Sequence, residues 1–109
     1  MSGYVLVGAS DAVETIDGRR LYEVGSALAK GGNEVTVFLV QNGVLACRPR
    51  SAGAAALSAL AASATVLADD FSLRERGIAR DEIVSGVRIG GIEELVDAAM
   101  EDGRKVVWF

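Results

Sequence analysis

"EVTVFLVQNGV", Glu34 to Val44, is the stretch that decides the fold. Glu34 to Gln41 is a dense run of apolar and β-branched residues, and Asn42-Gly43 is a turn dipeptide, so the run reads as a strand with a defined end. Just before it, Gly31-Gly32 supplies a helix stop, and Leu21, Val24 and Leu28 recur at helical spacing from Asp17 onward. Before that helix, "YVLVGAS", Tyr4 to Ser10, is a short apolar run ending in small residues, as buried parallel strands do. The chain therefore opens strand, helix, strand.

The pattern continues downstream. Ser51 is placed to cap an alanine-rich helix, "AGAAALSALAASA", whose helix propensity is high. "TVLA", Thr65 to Ala68, reads as a third strand, and Ser72 to Arg76 as one or two helical turns ended by Gly77. "GVRIGG", Gly86 to Gly91, is a short fourth strand. A helix follows, marked by Ile92, Leu95, Val96 and Ala99, with Glu93 and Glu94 at its positive end and Gly103 closing it. "KVVWF", Lys105 to Phe109, is the last strand, whose two terminal aromatics either cover the core or, if exposed, mark a subunit interface, the reading favoured here. Strands alternating with helices at this spacing predict an α/β fold with a largely parallel sheet, because parallel neighbours need helical crossovers. In such sheets ligands sit beyond the carboxyl ends of strands, here Gly8–Asp17, Gln41–Arg50 and Ala68–Gly77.

Length and composition narrow the chemistry. With 109 residues and half of them apolar, one domain spanning 1–109 is expected. The net charge of -4 and the scattered Lys and Arg give no footprint for a polyanion, so no nucleic-acid partner is expected. "MSGYVLVGAS" has no basic leader and its apolar run is too short for a bilayer, so no membrane partner and a cytoplasmic location are expected. The chain has no histidine, which removes His-based triads and His-containing zinc sites, and its single cysteine suits a reducing compartment. "GASDAV" lacks the glycine pattern of nucleotide loops, so no cofactor is expected.

Two positions can carry chemistry. Cys47 lies between the second strand and the alanine-rich helix, with Arg48 and Arg50 beside it; their charge would favour the nucleophilic thiolate, whereas a packed thiol would be inert. Asp69 and Asp70 follow the third strand. They could act as general acid and base or begin an oxygen-ligand site, or one could cap the Ser72 turn while the other pairs with Arg74 or Arg76.

In order and content, "VTVFLVQNGV", "SLRERGI" and "GVRIGGIEELVDAAMEDGRKVVWF" resemble the DsrE/DsrF-like family of small sulfur-relay proteins, which includes the Tus proteins of tRNA thiolation. The resemblance covers nearly the whole chain. It implies a three-layer α/β/α sandwich with a mainly parallel five-stranded sheet, assembled as a homo-oligomer or with related subunits. It further implies that active members carry a cysteine at the end of the third strand, seven residues before the arginine of Arg-Gly, which takes sulfane sulfur as a persulfide and passes it on. Seven residues before Arg76 stands Asp69.

A carboxylate cannot hold a persulfide. Two functions follow from that departure. In one, the chain is a sulfur carrier whose nucleophile is Cys47, activated by Arg48 and Arg50 and exchanging sulfur with donor and acceptor proteins. In the other, it is an accessory subunit or a noncatalytic binding module, with Asp69, Asp70, Ser72, Arg74, Arg76 and Arg48 forming a polar binding surface and Cys47 buried. An Asp-dependent hydrolase lacks a second catalytic group.

Overall fold

The computed structural model describes residues 3–109, so the first two residues of the segment read for a leader lie outside it. Five strands, β1 (Gly3–Gly8), β2 (Glu34–Leu39), β3 (Thr65–Asp69), β4 (Val87–Gly90) and β5 (Arg104–Trp108), form one sheet in the order β4-β3-β2-β1-β5. Every pairing is parallel. The helices are α1 (Ile16–Lys30), α2 (Ala54–Ala61), α3 (Asp70–Glu75) and α4 (Ile92–Met100), and a 3-10 segment spans Gln41–Cys47.

The connections explain the layering. From β1 to β4 each strand is laid beside the previous one in a single direction, and right-handed crossovers then place α1, α2 and α3 on one face. The step from β4 to β5 returns across the sheet to its far edge, which places α4 on the opposite face. Two apolar cores result. The larger gathers Leu6, Val37, Leu39 and Val66 of the sheet with Leu21, Leu57, Leu60 and Leu73 of the first three helices. The smaller holds Val5, Val7, Phe38 and Leu67 under Leu95 of α4. The period-two alternation along β1, β2 and β3 feeds both, so these strands read as continuous apolar runs.

Local chemistry sets the ends. Thr15 caps α1, its Oγ1 accepting from the Gly18 amide at 2.9 Å. The α1 exit closes with Asn33 N–H on the Leu28 carbonyl and Gly32 N–H on the Ala29 carbonyl, a Schellman pair. Ser51 does not cap α2 as the sequence suggests. Gly53 holds that position, and the Ser51 hydroxyl donates instead to the Ala46 carbonyl at 3.1 Å, tying the end of the 3-10 segment. The tight Asn42-Gly43 turn is likewise the start of a longer 3-10 segment. Gly43 is needed there because a Cβ would stand 2.2 Å from the Gly8 carbonyl oxygen, where the ends of β1 and β2 meet.

Candidate functional site

The carboxyl ends of β2 and β3 are neighbours in the sheet, so the 3-10 segment after β2 and α3 after β3 emerge side by side. Asp69 ends β3 and caps α3. Its Oδ2 accepts from the Ser72 amide at 3.0 Å and from the Ser72 hydroxyl at 2.6 Å. The same hydroxyl accepts from the Gln41 amide at 2.8 Å, and Ser72 is buried. Gln41 takes φ +49, a left-handed conformation uncommon for a residue other than glycine, which aims its amide into this network.

Arg76 joins the two segments a second time. Its Nε and Nη2 both donate to Asn42 Oδ1, at 3.2 and 3.1 Å, and its Nη1 donates to the Ser72 carbonyl at 3.3 Å. Arg48, from the far end of the 3-10 segment, donates through Nη2 to the Arg76 carbonyl at 2.8 Å. The residues after Arg76 complete the closure. Gly77 N–H reaches the Arg74 carbonyl and Ile78 N–H the Leu73 carbonyl, with Ile78 and Leu73 buried in one core, so Arg-Gly-Ile is a Schellman ending. Gly77 holds φ +66, which the motif requires at that position.

Asp70 points its charge elsewhere. It pairs with Arg80 at 3.0 Å and, one helical turn on, with Arg74 at 3.8 Å, while Arg76 is drawn to Asn42. Asp69, Asp70, Phe71, Arg74, Gly91 and Ile92 line an open hollow of about 360 Å³. Among the described residues, no group of three or more Cys, Asp and Glu is placed to hold a metal ion.

Cys47 sits at the end of the 3-10 segment and is 0% exposed, packed in the larger core. Burial pushes its thiol up to about 12. Arg48 and Arg50 do not lower it as the sequence suggests: desolvation governs the thiol, and the Arg48 guanidinium is committed to the Arg76 carbonyl. Tyr22, whose hydroxyl is buried without a partner, is also shifted upward, by burial first and then by the neighbouring Cys47 and Asp11. Sequence reasoning placed Gln41 and Asn42 at a ligand-binding strand end but not their bonds to Ser72 and Arg76, and it missed Tyr22.

The site as built can bind through a polar rim, but it brings no accessible nucleophile to the surface at Cys47. A model described as the DsrE/DsrF-like family matches residues 3–109, and the chain belongs to that family, which ties it at family level to sulfur metabolism. The ychN protein from E. coli shares the fold at a TM-score of 0.83 with 21% identity, covering 100% of both chains. MTH1491 from Methanobacterium thermoautotrophicum, described as a protein of unknown function, matches at 0.77 with 19% identity, again over 100% of both. No curated protein matches the chain. Among the described residues, no helix is long and apolar enough to cross a membrane.

Proposed function

We propose that this DsrE/DsrF-like chain serves sulfur metabolism as an accessory subunit of a cytoplasmic sulfur-relay assembly, and does not itself carry persulfide. The observation that carries this reading is the use made of Asp69. At the position where the family resemblance places the sulfur-bearing cysteine, a carboxylate satisfies the first turn of α3 and locks Ser72 to Gln41. A persulfide carrier needs a thiolate that donor and acceptor can reach. Cys47, the one cysteine of the sequence, is buried and held protonated, so the family scaffold is retained without a reactive sulfur.

Under this reading the loops around Asp69 contribute shape and charge. Phe71 is exposed beside the carboxylates, and Arg74 stands at the rim, a surface suited to contacting a related subunit that does hold sulfur. The test is intact-mass spectrometry of the native chain after incubation with a polysulfide donor, beside Cys47→Ser. The expected spectrum is the unmodified mass for both. A sulfur adduct on the wild type that disappears in Cys47→Ser would replace this reading with direct carriage by Cys47.

A further inference from the structure

Open parallel sheets take ligands beyond the carboxyl ends of their strands, and β1 and β2 are neighbours in this one. The loop leaving β1 and the 3-10 segment leaving β2 close there around a hollow of about 410 Å³, separate from the one beside Asp69. Val13, Leu45, Ala46 and Ala52 give it apolar walls. Gly53 lets the start of α2 come in close, since a Cβ there would stand 3.2 Å from the Ala46 Cβ and 3.5 Å from Val13 Cγ2. A space of this size with apolar walls and a few polar groups is what small-molecule sites provide.

Charges of both signs stand around the hollow. Asp11 and Glu14 come from the β1 loop, and Arg48 and Arg50 from the turn after the 3-10 segment. Among the described residues no ion pair joins either acid to either arginine, although all four line one space. Arg50 takes no part in the arginine hydrogen bonds of the described residues, and Arg48 uses only Nη2, on the Arg76 carbonyl. The backbone on both sides is held in place. Asp11 Oδ1 accepts from the Val13 amide at 3.2 Å, and the Asp11 carbonyl accepts from the Thr15 hydroxyl at 2.7 Å. Opposite them, Pro49 sits second in a turn closed by the Ser51 amide on the Arg48 carbonyl at 2.9 Å, and the Ser51 hydroxyl holds the Ala46 carbonyl. A site built this way costs a ligand little ordering.

We propose that this hollow binds a free α-amino acid with an apolar side chain, its carboxylate against Arg50 and Arg48, its ammonium against Asp11 and Glu14, and its side chain on Val13, Leu45 and Ala46. An anion alone would meet the two acids, and a cation alone the two arginines. A zwitterion brings each side its counter-charge, and the guanidinium fork matches the two oxygens of a carboxylate. The inference goes beyond the assembly role proposed above. Only Arg48 is shared with the Asp69 network, and no sulfur chemistry enters.

Isothermal titration calorimetry of the native chain with L-leucine and with L-methionine tests it. At least one of them is expected to bind one-to-one, with N-acetyl-leucine and leucinamide, each lacking one of the two charges, weaker than leucine by about tenfold or more. Arg50→Gln and Glu14→Gln should each weaken binding by about tenfold, and Ala52→Trp, which fills the hollow from an exposed position, should abolish it, all with unchanged circular dichroism. Glu82→Gln lies in a second hollow, of about 550 Å³, that shares Arg48 and Arg50; it is the control expected to bind as the wild type does. The proposal is overturned by the absence of saturable heat with both amino acids up to about 10 mM, or by N-acetyl-leucine binding as tightly as leucine. Undiminished binding by Ala52→Trp, or a loss with Glu82→Gln and none with Glu14→Gln, would overturn it equally.

Discussion

Replacing Asp69 by alanine removes one oxygen that serves two donors. The backbone bond to Ser72 is a helix cap, whose loss costs about 1 kcal/mol. The 2.6 Å bond from the Ser72 hydroxyl is charge-assisted, and with Ser72 only 3% exposed its loss strands a buried donor, adding about 1–3 kcal/mol. Asp69→Ala is therefore expected to lose about 2–4 kcal/mol, and for a chain of this size each kcal/mol lowers Tm by about 5 °C. Asp69→Asn keeps an acceptor of the same shape and should lose about 1 kcal/mol, the difference between charged and neutral acceptors. Urea unfolding followed by circular dichroism reads both values from the midpoints, provided the slopes agree. An alanine variant within about 0.5 kcal/mol of the wild type would show that the carboxylate is not the brace described.

Further outcomes follow from the same geometry. Gly77→Ala has open space around the new Cβ but must hold φ +66, so a loss of about 1 kcal/mol in thermal or urea unfolding is expected, with Gly77→Asn losing less. Arg76→Lys cannot reproduce the two-pronged contact on Asn42 Oδ1; the loss should be under about 1 kcal/mol at this partly exposed site, and a double-mutant cycle with Asn42→Ala should show the two changes to be coupled. Because burial raises the Cys47 pKa from 9.0 to about 12, the unfolded chain releases this proton first as pH rises above 9. Stability should then fall between pH 9 and 12 by up to about 1.4 kcal/mol per unit from this group, and Cys47→Ala should flatten that part of the profile.

The elements were legible because their signals are local. The apolar run from Val35 to Leu39, the double glycine after α1 and the short strand before Asp69 each specify themselves within a few residues. The layering was legible in principle from the handedness of crossovers, once the return from β4 to β5 is known. What escaped the sequence depends on partners far along the chain. Arg76 finds Asn42 across 34 residues and so leaves Asp70 to Arg74 and Arg80. The 3-10 segment continues past Asn42-Gly43 because Gly43 packs against the β1 carboxyl end and Gln41 is fixed by Ser72. That continuation carries Cys47 inward, where the charge of its sequence neighbours no longer governs the thiol. Ser51 had two possible acceptor or donor roles, and the Ala46 carbonyl, not the α2 entrance, is the group within its reach.

A non-carrying role requires that no reactive sulfur reach the surface, and the rate of Cys47 alkylation at neutral pH measures that directly. In the native chain reaction must wait for opening of the larger core, so the rate is predicted to lie at least about 10³-fold below that of the urea-unfolded chain. Equal rates in the two states would place an accessible thiol on the native surface and contradict the assignment of Cys47 to the core and of the chain to a non-carrying role.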